Sequence, residues 1–320
     1  MDYLPPIVHL VNEKDDGLPL IKILRERMKV SRSLLSKLKQ TERGIEVNGN
    51  RVYTNAIVHA HDHVALRMPV ERSEDILPEP IPFAIVYEDA DLLVVNKPSG
   101  LIVHPTHGHY TGTLANGVVH YWQDKGESYR FRPIHRLDQD TSGIIAIAKN
   151  AYVHQHVSEQ MQRNEVDKTY LAYVHDLPQP PSGTIHAPID RSDDNPHIRI
   201  VREDGYASTT HYETIQVFGN EASVQRIRLE TGRTHQIRVH MKHIGHPLIG
   251  DAMYGLDPAE DRSDALRLDA LINRHALHAE ELSFTHPMQR VRMTFHAPIP
   301  EDLQALSNKL ALIYVQEGEE

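Results

Sequence analysis

Apolar positions in this chain of 320 residues recur with two different periods. Near the start, Ile21, Leu24 and Met28 fall at helical spacing, and Ser31 is placed to cap a second short helix carrying Leu34, Leu35 and Leu38. Ile45 and Val47 then alternate with polar residues, and Asn48-Gly49 predicts a hairpin. Residues 69–82, PVERSEDILPEPIP, hold four prolines and four acids with no apolar period, which predicts a linker. Beyond it the period of two prevails. Leu92 to Pro98, Gly143 to Lys149 and Lys168 to Val174 predict strands, the last with Tyr170, Ala172 and Val174 on one face. Ile227 and Leu229 share a face of a later strand. Asn150 is placed to cap a helix carrying Val153, Val157 and Met161, and Thr234 one carrying Ile237, Met241 and Ile244. Helices do not separate the strands regularly, so a doubly wound parallel sheet is excluded. The expectation is an α+β fold: a mixed, largely antiparallel sheet domain over 83–305. A small α/β module, 1–68 with its core at about 18–66, precedes it, and a tail, 306–320, ends in the acidic EGEE.

Charge changes the picture of the first module. The whole chain carries a formal net charge of −10, which argues against indiscriminate adhesion to nucleic acid. Yet Lys22 to Arg51 contains nine basic and three acidic residues, net +6, with Arg32 and Lys37 around the helical turn. Such contrast favours phosphate contact over a merely solvated face. Arg226 to Lys242 is a second basic stretch, with five basic residues and one acid. Cysteine is absent, which excludes disulfides and thiolate chemistry. No stretch approaches 18 apolar residues and the N-terminus has no basic start followed by an apolar run. A cytoplasmic protein with no membrane partner is expected.

The densest polar cluster is HRLDQDTSG, His135 to Gly143, directly before a predicted strand. Asp or Thr with Gly there is ordinary turn chemistry, but such a loop also presents side chains to a cleft. Asp138 and Asp140 sit on one loop, not on separate elements as the flanking carboxylates of a glycosidase require. The cluster resembles, over its whole length, the signature loop of the large-subunit-type pseudouridine synthases, the RluA/RluD family. Four further blocks resemble that family in order: NKPSGLIVHP (Asn96 to Pro105), KTY (Lys168 to Tyr170), TGRTHQIRVH with GHPLIGD (Thr231 to Asp251), and HALHAEELSFTHP (His275 to Pro287). The first module resembles the small S-four-type RNA-binding domain, through IKILRERMKVSRSLLSKLKQ and GIEVNGNRV.

The resemblance implies a pseudouridine synthase fold and the conversion of uridine to its C-glycoside isomer within RNA, most readily 23S ribosomal RNA. Transfer RNA is an alternative substrate, and a non-catalytic ribosome-assembly factor an alternative function. The N1–C1′ bond must break, the uracil must turn, and C5 must bond C1′, so no cofactor is implied. The family pattern makes Asp138 the carboxylate that attacks C1′ or abstracts the C2′ proton. An ordinary aspartate, with a pKa of about 3.9, is already charged at neutral pH. The same pattern places Arg238 beside it and Tyr170 against the base. Stacking is worth roughly 1–3 kcal/mol per base and flipping costs a few, so further contacts are needed. The resemblance implies Arg136 as the filler of the vacated stack, and His135, Thr141, Lys168, Arg233 and Leu248 along the substrate path. Lys97 reads as an exposed lysine that could touch RNA. His175 stands where the family often has glycine, which puts a local turn in doubt.

The chain has 23 histidines, among them His104, His107 and His109, and His235, His240, His243 and His246 around one helix. There is no HExxH and no third ligand at fixed spacing, so no metal is expected. The sequence leaves oligomeric state open; a monomer is compatible with it.

Overall fold

The computed structural model describes residues 2–256 and 267–316. The first module is a four-stranded antiparallel sheet in the order β1-β4-β2-β3, formed by β1 Ile7–Leu10, β2 Ile45–Val47, β3 Asn50–Arg51 and β4 His63–Leu66. Two helices cover it. The first, α1 Leu20–Lys22, runs into a π-helical turn over Ile23–Arg27, so its buried face is Leu20, Ile23, Leu24 and Met28, with Ile21 only half-buried. The second, α2 Arg32–Gln40, buries Leu34, Leu35 and Leu38, and Ser31 caps it by accepting from the Leu34 amide. Such a cap contributes about 1 kcal/mol.

The larger domain is built on a nine-stranded sheet in the order β5-β6-β7-β14-β8-β13-β12-β9, with β15 paired to β14. Its strands are β5 Ala84–Glu88, β6 Leu92–Lys97, β7 Ser142–Ala148, β8 Asp167–His175, β9 Ser182–His186, β12 Thr209–Phe218, β13 Ala222–Leu229, β14 Leu277–Thr285 and β15 Arg292–His296. A separate pair, β10 Ile189–Arg191 and β11 Arg199–Val201, lies apart. Every pairing in the large sheet is antiparallel except that of β14 with β7, so the fold is α+β with a mixed, mostly antiparallel sheet. Helices packed on it include α3 Leu114–Asp124, α4 Ala151–Gln162, α5 Gln236–His243 and α6 Glu301–Gln316. Asn150 caps α4 by accepting from the Val153 amide.

Several expectations are corrected. The region from 306 is no tail: α6 continues to Gln316 and buries Leu303, Leu306 and Leu310; EGEE, 317–320, lies outside the described residues. Residues 69–82 are a strap held on the larger domain. Ile76 is buried with Trp122, the Phe131 amide donates to Ser73 Oγ, and Glu71 pairs with Arg132. The module is not tethered loosely either. One apolar cluster runs from Leu24 and Leu38 to Tyr152, Val157 and Phe284, and Tyr152 donates its hydroxyl to the Met28 carbonyl at 2.8 Å. Thr234 does not cap α5; the position is taken by His235 in the left-handed region, φ +58°. His175 stays in its strand, and the turn after it is made by Asp176 at φ +60°.

Candidate active site

The signature loop is accounted for residue by residue. Half-buried His135 points its Nε2 at the Ile144 carbonyl, 3.1 Å away, and burial draws its pKa down to about 4. Arg136 is exposed at the mouth of a cleft. Leu137 is buried with Tyr170 and Ala279. Asp138 faces the cleft, and the Gln139 carbonyl after it accepts from Lys97 Nζ at 2.8 Å. The Asp140 carbonyl accepts from Arg274, Thr141 Oγ1 meets His275 Nε2 at 2.8 Å, and Ser142 Oγ meets His278 Nδ1 at 2.9 Å. Gly143 has φ +119°, and a Cβ there would lie 2.1 Å from the Ala279 carbonyl oxygen. Glycine is therefore required where the loop enters the parallel pairing of β7 with β14.

Sheet register carries the second wall to the loop. Gly143 pairs with Ala279 on β14, and Ala279 pairs with Tyr170 on β8, so the three lie in one row. Tyr170 is buried beneath the cleft, and burial, reinforced by the Asp138 carboxylate, pushes its phenol up. The third wall is α5. Its Arg238 Nη1 donates to Asp138 Oδ2 at 3.2 Å. The same guanidinium grips Asp251 with two bonds, Nε to Oδ2 at 2.7 Å and Nη2 to Oδ1 at 2.8 Å. Burial opposes the charge on Arg238, but Asp251 outweighs it and the pKa is raised; Asp251 is correspondingly lowered against its own burial. Arg238 is thus fixed before any substrate arrives, with its Nη1 left to face Asp138.

The cleft has a volume of about 790 Å³, within the range of small-molecule sites and ample for a nucleotide. Arg136, Lys168 and Arg233 bring positive charge to it, against Asp138 and Glu230. Burial lowers the Lys168 pKa, and among the described residues no carboxylate lies in ion-pair range of it. Arg233 lies over the Tyr206 ring, 5.4 Å from its centre.

Other expected contacts are placed elsewhere. Leu248 is fully buried behind the cleft; the apolar wall near Asp138 is made by Leu229, Ile237 and Leu277. Thr141 does line the wall beside Asp138, but it is buried with its hydroxyl turned to His275. Lys97 is not exposed: it is completely buried, donates to the carbonyls of Pro98, Leu101 and Gln139, and burial brings its pKa to about 7. Three acceptors match the three N–H bonds of an ammonium, so Lys97 bolts the Asn96–Leu101 turn to the loop behind Asp138. Arg32 and Lys37 are exposed on α2. The histidines around α5 disperse: His235 to Tyr254, His240 to Thr210 and the Ala187 carbonyl, His246 to the His175 carbonyl.

Sequence reading missed Asp251, His235 and Tyr254. Asp251 stands in the GHPLIGD block, and Gly250 before it, at φ +74°, closes so tightly that a Cβ would lie 2.4 Å from the Arg274 carbonyl oxygen. That glycine was the available signal for a residue held in place.

Residues 91–243 match the family model described as RNA pseudouridylate synthase. The chain is 36% identical over 298 residues to the uncharacterized RNA pseudouridine synthase YhcT of Bacillus subtilis, covering 93% of this chain and 95% of that one. It is 37% identical over 270 residues to ribosomal large subunit pseudouridine synthase D of Yersinia pestis, covering 83% and 82%. Among solved structures, human RNA pseudouridylate synthase domain containing 1 superposes with a TM-score of 0.55 at 25% identity, over 72% of this chain and 96% of that one. Human RNA pseudouridylate synthase domain containing 4 shares the fold, with a TM-score of 0.58 at 23% identity, over 71% and 92%. A loop, a sheet row and a helix that converge on one cleft thus sit in a sequence similar to these proteins over most of its length, and the chain belongs to the RluA/RluD-type RNA pseudouridine synthases, an enzyme family of isomerases.

Proposed function

We propose that this chain isomerises specific uridines of large-subunit ribosomal RNA in the cytoplasm, with Asp138 as the carboxylate that acts at the ribose. The observation that carries the reading is Asp138 on the cleft wall, 3.2 Å from an Arg238 already locked by Asp251. A guanidinium in that position holds and aims the carboxylate, which both chemical routes need. In one, a carboxylate oxygen bonds C1′ as N1 leaves. In the other, it takes the C2′ proton and a glycal forms. In either, the uracil turns above Tyr170 and C5 bonds C1′, as the carboxylate leaves C1′ or returns the proton to C2′; the C5 proton is then lost and N1 gains one.

The nucleotide must leave its helix to reach this wall. Arg136, exposed at the mouth, is suited to fill the gap it leaves. Lys168 and Arg233 take phosphates along the cleft, with His135 beneath them. Arg32 and Lys37 extend the phosphate contacts on the module. No cofactor has a part in this scheme. Similarity to the ribosomal large subunit pseudouridine synthase of Yersinia pestis favours ribosomal over transfer RNA.

The test is to incubate unmodified large-subunit ribosomal RNA transcript with wild type and with Asp138→Asn, and to map pseudouridine. Product with wild type and none with the variant is expected. Equal product from both would remove Asp138 from the chemistry. Modified transfer RNA with untouched ribosomal RNA would move the substrate. Tight RNA binding without any product would leave a binding factor.

A further inference from the structure

His235 stands beside Asp138 on the wall of the cleft, its Nε2 3.9 Å from Asp138 Oδ2. That is too long for a hydrogen bond. Its other nitrogen, Nδ1, lies 2.7 Å from Tyr254 Oη. Tyr254 is buried, and its oxygen already accepts the Arg199 amide proton at 2.8 Å. A buried hydroxyl needs an acceptor for its own proton, and among the described residues the acceptor within reach is His235 Nδ1. The imidazole is therefore neutral at Nδ1 and carries its hydrogen on Nε2, aimed into the cleft beside Asp138. Burial, opposed by Asp138, keeps the ring below its ordinary pKa, in keeping with the neutral form.

The backbone is also committed to this arrangement. His235 is left-handed at φ +58° and makes no side-chain cap for α5. Gln236 does the local bonding instead: its Oε1 accepts from Thr231 Oγ1 and the Arg233 amide, and its Nε2 donates to the Thr209 carbonyl and Thr210. A non-glycine residue in this conformation is uncommon and calls for a reason.

We propose that His235, held as its Nε2–H tautomer by Tyr254, donates a hydrogen bond to uracil O2 as the N1–C1′ bond breaks. This rests on the isomerase reading and names a further residue of that site. On either route the electron pair of the broken bond passes to the uracil, where it spreads over N1, the adjacent O2 and, through the C5=C6 bond, O4. The pair returns when C5 bonds C1′, the C5 proton leaves to solvent and N1 takes one. O2 is the oxygen next to N1 and C1′, hence nearest to Asp138 and to a donor beside it. The hydrogen bond strengthens as charge develops, with no proton transferred.

The decisive comparison is His235→Gln against His235→Asn. The glutamine amide nitrogen takes the place of Nε2, and that of asparagine the place of Nδ1. Asparagine tolerates the left-handed backbone better. A donor role therefore ranks Gln above Asn, whereas a backbone role ranks Asn above Gln. On unmodified large-subunit ribosomal RNA transcript, single-turnover rates of Asn and Ala are expected to fall about 10²–10³-fold, as when an oxyanion donor is removed. Gln should stay within about tenfold of wild type, and RNA affinity should hold in all three. Asn equal to or above Gln, or all three near wild type, overturns the proposal. A second readout needs no substrate: nitrogen NMR of the free protein should show a protonated Nε2 at His235 that becomes mixed in Tyr254→Phe. A protonated Nδ1 in wild type overturns it as well. A wild type that makes no pseudouridine sinks the isomerase reading, and this inference with it; an active wild type with the wrong ranking sinks this inference alone.

Discussion

Asp251 is the residue on which the geometry of Arg238 depends, and it touches no part of the open cleft. Its two oxygens take two of the guanidinium's donors, and Oδ1 also accepts the amides of Met253 and Tyr254 at 3.0 Å. Asp251→Asn would turn an amide towards a buried cation. Breaking a buried pair from one side costs about 3–5 kcal/mol, so the thermal midpoint should drop. The single-turnover rate should fall at least ~100-fold, the scale on which small misplacement acts, while RNA affinity stays near wild type. An unchanged rate would show that Arg238 needs no such anchor. His275 gives a pH signature. It is buried against Thr141, and burial, with Arg238 nearby, lowers its pKa from 6.5 to about 4. Below pH 6.5 the unfolded chain takes a proton there that the folded chain refuses. Stability is whole above that pH and declines as pH falls towards 4, by roughly 3 kcal/mol at full extent. Urea midpoints across that window should fall less in His275→Gln; an identical acid slope would assign the loss to other groups. Asp138, Arg238 and Tyr170 were legible through the motif each one sits in. Asp251 and His235 were not, because their value lies in partners that only folding brings near. Lys97 misled for the opposite reason: a lysine at a strand end looks solvated until three carbonyls close around it.

Pairing β7 parallel to β14 is what turns the loop before it into a site, and Gly143 makes that pairing fit. Gly143→Ala would drive a Cβ into the Ala279 carbonyl and hold alanine at φ +119°. Overpacking and forced backbone geometry each cost about 1–3 kcal/mol. A loss of several kcal/mol in stability and collapse of activity are expected, measured by denaturant unfolding and by pseudouridine formation; a variant as stable as wild type would mean that β7 can shift away. Elements whose signals are local were readable. Ser31 and Asn150 cap through bonds to residues three ahead, and the alternation in Lys168–Val174 marks the face that holds Tyr170. Where packing decides, the pattern fell short. Four prolines hid a strap anchored by Ile76 and Glu71, the acidic terminus obscured the periodicity of Leu303, Leu306 and Leu310, and a left-handed His235 moved the start of α5 past Thr234.

A molecule of net charge −10 that handles a polyanion has to confine attraction to a few places. Two are visible: the cleft with Arg136, Lys168 and Arg233, and the module, whose Lys22–Arg51 stretch carries net +6. The continuous core from Leu24 through Tyr152 to Phe284 fixes one relative to the other, so both can engage a single RNA without a hinge. The negative charge of the whole makes productive binding depend on a small set of ion contacts and their released counterions. RNA affinity should therefore fall steeply and linearly on a log–log plot between low and moderate salt. Arg32→Ala and Lys37→Ala should each lower that slope by roughly one while the single-turnover rate at saturating RNA stays as it was. Filter binding at four or five salt concentrations, with single-turnover assays alongside, measures both. A slope untouched by the pair of substitutions would place the RNA on the cleft alone, and the module would then serve the fold through its shared core and not the substrate.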